Sequence, residues 1–296
     1  MSDLLEELEI IIFVPAFVAA VIFITRWYLP INSTFPRNSC KGARNILRIL
    51  PVVSSAIMLV TLCTLAAPSV VENPFWIFYY LVIGFVWIFP AMSLTFRCFD
   101  LSWRDDVINK TQTQPAVLPV AGSVIGITLI YSGANIGDGP GWWCVIYAAG
   151  MGTVMWFILG HIIQKTTDVF STVTIGRDKP CAIRMFAYLS ASGLALAHAS
   201  SGDSISFYID IIEIAVTSLT AIPIAVLAIL VEKYYIGKRR KEMLNSFRAK
   251  FTSYTHIESK STGNFTAFLW GIVYMAAAVG AMYLNDYILA AMAVSQ

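Results

Sequence analysis

Charge is scarce in this sequence. Only 13% of its 296 residues are Asp, Glu, Lys or Arg, against 57% hydrophobic residues. A soluble domain carries about twice that charged share, and the mean hydropathy of +0.70 points the same way. Close cysteine pairs are lacking too: Cys40, Cys63, Cys98, Cys144 and Cys181 form no CxxC. Three of them fall in or beside loops assigned below to the cytoplasm and two within apolar runs, which argues against a disulfide framework. No HExxH, P-loop or strand followed by GxGxxG occurs, and their absence removes the usual metalloprotease, nucleotide and dinucleotide readings. A retinal Schiff base would need a mid-span lysine, but Lys165 and Lys233 sit at the boundaries of their runs. Ser190 and Ser192 stand eight and six residues from His198, spacings that do not bring a serine and a histidine face to face on one helix. The start, Met1 to Glu9, has Asp3, Glu6, Glu7 and Glu9 but no Lys or Arg. It lacks the basic region of a cleavable signal peptide, so the first run is expected to be a retained helix.

What the sequence does have is apolar runs near twenty residues long, each able to cross a hydrocarbon core of roughly 30 Å at about 1.5 Å per residue. Bounding them by flanking charge and Pro/Gly turns predicts spans at 9–28, 46–67, 74–96, 116–133, 142–163, 181–199, 204–234 and 264–284. The expected fold is an all-α polytopic transmembrane bundle of about eight spans. Its organisation is read as a two-helix segment 1–73, a core 74–234, a basic connector 235–263 and a last helix within 264–296. The connector is expected to be a solvated loop, with an amphipathic helix at 238–252 against anionic lipid as the alternative.

The basic residues carry the topology. All 20 Lys and Arg lie in or beside the loops after the first, third, fifth and seventh spans, and the alternate connections 68–73, 134–141 and 200–203 hold none. The positive-inside rule makes the basic face cytoplasmic and puts both termini on the other side. Trp27, Tyr28, Trp76, Trp142, Trp143, Tyr234 and Tyr235 fall at span ends, where belt aromatics are expected. Pro15, Pro51, Pro90, Pro119 and Pro223 lie inside spans and are expected to kink them.

Two central hairpins look alike. Asp106-Val107 precedes a polar stretch, Pro115 and a small-residue-rich span, and Asp168-Val169 precedes Pro180 and a similar span. That is a parallel repeat rather than the inverted kind. From about Phe75 to Gly202 the chain resembles the YjfL-like family of small bacterial inner-membrane proteins. The resemblance rests on Tyr79, Tyr80 and Gly84, on Pro115-Ala116 leading to Gly122-Ser-Val-Ile-Gly126, on Trp142-Trp143, and on Pro180-Cys181-Ala182 leading to Ala187, Ala191 and Gly193. Family members commonly show Asn and paired alanines where this chain has Gln114-Pro115-Ala116 and Lys179-Pro180-Cys181. The resemblance implies a bacterial inner membrane and a duplicated helical hairpin, with no reaction attached.

In lipid, helices approach each other through small residues. Gly122 and Gly126 mark one such stripe, and Ala187, Ala191, Ala195 and Ala199, four apart, mark another. They can serve packing within the chain or between copies.

Ionisable groups inside a membrane are functional candidates by default. Asp210 and Glu213 are three apart in the predicted seventh span, which puts both carboxylates on one helix face. Counted from Ser204, they lie about 9 Å and about 13 Å along the helix. With no Lys or Arg on that half of any span, the pair is expected to share a proton or bind a cation. His198 and Asp203 are the nearest candidate partners, and Asp138 in the Asn135–Gly141 turn can add a carboxylate. Tyr131, Ser132 and Asn135 are candidates for lining the same cavity, and His161 is read as a headgroup anchor or a proton relay.

The sequence thus points to a small transporter or channel for protons or cations. A non-catalytic membrane subunit or scaffold is the alternative, and an intramembrane enzyme the third reading, without an assigned catalytic residue. No cofactor is expected beyond a possible bound cation, whose identity is open. The expected partners are the lipid bilayer and either further copies or other membrane subunits, and no nucleic acid.

Overall fold

With hydrocarbon as solvent, a backbone must satisfy its own hydrogen bonds, and helices do so locally. The computed structural model describes residues 2–32, 41–108, 115–139, 141–204, 206–250 and 262–294, and these are helical almost throughout. In chain order the α-helices are α1 Ser2–Asn32, α2 Lys41–Thr64, α3 Pro68–Val71, α4 Pro74–Phe99, α5 Val117–Gly133, α6 Trp142–Thr167, α7 Val169–Thr174, α8 Lys179–Ala199, α9 Phe207–Ser218, α10 Ile222–Lys250 and α11 Thr262–Val294. A π-helical turn, Trp103–Ile108, follows α4, and a 3₁₀ turn, Leu219–Ala221, joins α9 to α10.

Local chemistry sets the helix ends. Asn73 and Asp178 accept hydrogen bonds from the Phe75 and Cys181 amides at the starts of α4 and α8, both of which have proline in the first turn, where its missing N–H costs nothing. Asp100 and Asp168 adopt the left-handed conformation (φ 49° and 50°) after α4 and α6. Aspartate tolerates that geometry better than most residues, and each of these helices is followed by one short helical turn.

Among the described residues seven helical stretches are long and apolar enough to cross a bilayer, and large side chains such as Val52, Leu230 and Phe268 are exposed on them. Apolar surface of that extent belongs in lipid, and the chain is a multi-pass integral membrane protein. The eighth predicted span, α5, is a shorter apolar helix of 17 residues. Its length is about 26 Å.

At the centre, α5 and α8 run side by side in the same direction. A Cβ placed on Gly122 would lie 2.7 Å from the Phe186 carbonyl oxygen, and one on Gly126 would lie 2.6 Å from that of Leu189. Gly133 is pressed as tightly on Ala197. Backbones this close leave room for hydrogen only. The indole of Trp156 on α6 also donates to the Leu189 carbonyl at 3.1 Å. The opposite flank of α8 is covered by α11, where Gly271 meets Ala187 and Tyr274 meets Tyr188. Ala187, Ala191, Ala195 and Ala199 are all buried, so α8 has protein neighbours on both flanks.

Two expectations are corrected and one gains detail. The seventh span is one helical stretch, Phe207–Lys241, that changes helix type part-way. Pro223 has no N–H to give the Leu219 carbonyl and its ring crowds that group, and the chain passes through the 3₁₀ turn before resuming as α10. The stretch assigned to a connector from residue 235 begins instead as a continuation of α10 to Lys250, and residues 251–261 lie outside the described set. Trp27 is not a belt residue, because its ring is buried and its indole N–H donates to the Leu47 carbonyl on α2 at 3.0 Å.

Candidate functional site

The loops that carry no basic residue converge. The Gly202 amide donates to the Ile136 carbonyl at 3.0 Å and the Ser204 amide to the Asp138 carbonyl at 2.7 Å. The Asp203 carboxylate accepts the Asp138 amide at 2.7 Å. Gly137, at φ 107°, allows this approach, because a Cβ there would lie 2.5 Å from the Gly202 carbonyl carbon. A parallel bridge between Ala66 and Gly137 adds the α2–α3 connection. Beneath these loops lies a cavity of about 660 Å³, walled by the adjoining ends of α5, α6, α8 and α9.

Among the described residues four carboxylates line that cavity, Asp138, Asp203, Asp210 and Glu213, and no Lys, Arg or His does. Asp210, in the first turn of α9, is only 5% exposed. It accepts hydrogen bonds from the Tyr147 hydroxyl, from the Ser204 hydroxyl at 2.5 Å and from the Ser206 amide at 3.3 Å. These donors and the positive end of the α9 dipole take the place of a cation beside it.

Glu213, one turn on, is in a different state. It is half-buried, faces the same cavity, and its carboxylate has no hydrogen-bond or ion-pair partner among the described residues. Thr217 closes the floor, its hydroxyl donating to the Ala199 and Glu213 carbonyls at 3.1 and 2.8 Å. Ser200 also lines the cavity, and its buried hydroxyl has no partner among the described residues.

The other candidates sort as follows. Asp138 is exposed at the rim, and Asp203 is committed to the loop pairing. His198 does not line the cavity. Its Nε2 lies 2.8 Å from the Asp286 carboxylate of α11, so the partnership expected with Asp210 and Glu213 is replaced by one with the helix that flanks α8. Asn135 lines the cavity with its side-chain amide donating to the Tyr131 carbonyl at 2.7 Å. Tyr131 and Ser132 are buried beside it, the Tyr131 hydroxyl donating to the Tyr80 carbonyl at 2.6 Å. His161 is exposed on α6. Among the described residues no group of three or more His, Cys, Asp or Glu side chains is gathered as a metal site. A cation in the cavity would rest on one or two carboxylates with hydroxyls and carbonyls.

Sequence reasoning missed a second polar cluster. Near the basic end, Arg184 of α8 and Glu232 of α10 form a two-pronged ion pair, Nε–Oε1 2.5 Å and Nη2–Oε2 2.8 Å, with side chains 1% and 0% exposed. Arg184 is one of the basic residues assigned to the loop faces, and Glu232 stands out by no motif. The available signal is that both lie on the apolar side of a predicted boundary, Arg184 after the start at 181 and Glu232 before the end at 234.

Comparison of the chain with protein-family models, with curated proteins and with solved structures gives no match.

Proposed function

We propose that the protein is a small transporter or channel for protons or small cations, with Glu213 as the exchanging carboxylate and Asp210 as its fixed neighbour. In this reading the chain crosses the inner membrane of a bacterium eight times, with the basic loops cytoplasmic and both termini outside. The observation that carries the function is the cavity lined, among the described residues, by four carboxylates and no basic side chain, in which the half-buried Glu213 carboxylate has no assigned bond while Asp138 is exposed at the rim. A buried charge without a partner is costly. Taking up a proton or a cation relieves that cost, and the open cavity supplies the route. Asp210, held by hydroxyl and amide donors, is the fixed neighbour beside it. The 3₁₀ break below it is the type of discontinuous helix that transport proteins use at their sites.

The duplicated hairpin and the relation to the YjfL-like family stay part of this proposal, and the parallel packing of α5 on α8 is compatible with them. Gly122 meets Phe186 and Gly133 meets Ala197, in both cases 64 residues away. The scaffold reading has less behind it, because the small-residue stripes it would use are filled by helices of the same chain.

The test is ion-dependent flux in proteoliposomes. Glu213→Gln is expected to abolish it and Asp210→Asn to reduce it severely, with both variants still monodisperse. Absent flux in the parent protein, or unchanged flux in Glu213→Gln, overturns the proposal.

A further inference from the structure

The cavity opens at one end of the bundle, and the Arg184–Glu232 pair sits at the other end of the same helices. The path from one to the other runs down α8 from Ala199 to Arg184 and down α9 and α10 from Thr217 to Glu232, each about 22 Å. The 3₁₀ break at Leu219–Ala221 interrupts the second rail just below the cavity.

Around the pair the packing is dry and aromatic. The Arg184 guanidinium lies 4.1 Å from the centre of the Tyr235 ring. The Trp270 indole donates to the Tyr235 hydroxyl at 3.3 Å, which brings in α11. The Cys181 thiol, fully buried, lies 3.6 Å from Glu232 Oε2. Toward the surface, Arg239 of α10 bonds at 2.5 Å to Asp178, the residue that caps α8. These contacts join α8 or its cap to α10, and α10 to α11, and none is needed to form a helix.

A buried ion pair contributes little stability over an apolar pair of the same shape, yet removing one partner is costly. It is also two-state. In a dry site the charges must stay together, whereas once water enters each can be solvated separately. We infer that Arg184 and Glu232, with Tyr235 over the guanidinium, form a gate that closes the basic end of the pathway, and that α10 swings at the 3₁₀ break to open it. The inference rests on the transport reading, and it assigns the closed end that the cavity lacks.

Cys181 is a native reporter of this gate. In full-length protein with Cys40, Cys63, Cys98 and Cys144 replaced by Ala, a membrane-impermeant maleimide is applied to right-side-out and to everted vesicles. The parent is expected to label slowly from both faces. Glu232→Gln, which leaves Arg184 without its counter-charge, is expected to raise the rate at least about tenfold from the basic face only. The exchange Arg184→Glu with Glu232→Arg is expected to return it toward the parent. Unchanged labelling in folded Glu232→Gln overturns the gate, as does acceleration from both faces or equal acceleration at Cys144 in a chain retaining that cysteine alone, since either marks general loosening. Should Glu232→Gln not fold, Arg184→Lys, which keeps the charge but loses the two-pronged contact, takes its place with the same expectation. Flux and labelling fail separately: no flux with gated labelling overturns transport alone, and flux with ungated labelling overturns the gate alone.

Discussion

Asp210 and Glu213 share a helix face, yet only one of them is tied down. Charge-assisted hydrogen bonds contribute about 1.5–3 kcal/mol each, so Asp210 with its Tyr147 and Ser204 donors is a structural anchor as well as a charge. Tyr147→Phe is expected to lower stability by roughly that amount, read as a lower midpoint of thermal unfolding in detergent. Glu213→Gln removes no bond and is expected to leave the midpoint in place while it stops flux. Equal destabilisation by the two would sink the distinction between anchor and exchanger. The three-residue spacing showed the shared face in the sequence. It held no sign of Tyr147, which lies 63 residues away and reaches Asp210 only through the docking of α6 on α9. Arg184 and Glu232 were hidden for a related reason: rules that count basic residues near span ends do not ask whether a cation has turned inward.

Among the helices, the contact of α5 with α8 tolerates the least change. Gly126→Ala puts a methyl group 2.6 Å from the Leu189 carbonyl oxygen, and overpacking of this kind costs about 1–3 kcal/mol. Gly280→Ala on α11, with nothing within 4 Å of the added carbon, is the matched control and is expected to be neutral. Unfolding midpoints of the two variants check this, and a neutral Gly126→Ala would mean that the helices stand further apart. Spacing alone marked Gly122, Gly126 and the alanines as interface residues, because lipid offers no other reason to line up small side chains. Which helix each stripe met depended on the arrangement of the bundle. The break between α9 and α10 was half legible: Pro223 announced a disturbance, but a kinked single helix and two helices joined by a 3₁₀ turn read alike until the side-chain anchors at Thr217 and Thr220 are in place.

For the molecule as a whole, the segregation of 20 basic residues to one set of loops predicts the sidedness, and the short helix α5 is where the count can be tested. Glu72 and Arg177 are both exposed, and α4, α5 and α6 lie between them. Three crossings put them on opposite faces, while two, with α5 failing to span, put them on the same face. Glu72→Cys and Arg177→Cys, each in a chain without other cysteines, are expected to react with an impermeant thiol reagent from opposite sides of the membrane.

The burial of α8 bears on how the protein is made. It is the least apolar of the long helices and carries an arginine and two serines within the span, a composition that enters lipid reluctantly by itself. Its flanks are covered by α5, synthesised before it, and by α11, synthesised after it. On the ribosome α8 therefore lacks one wall of its groove until α11 has been made, and a nascent chain stopped before α11 should be held by the insertion machinery or cleared by membrane proteolysis rather than released as a stable fragment.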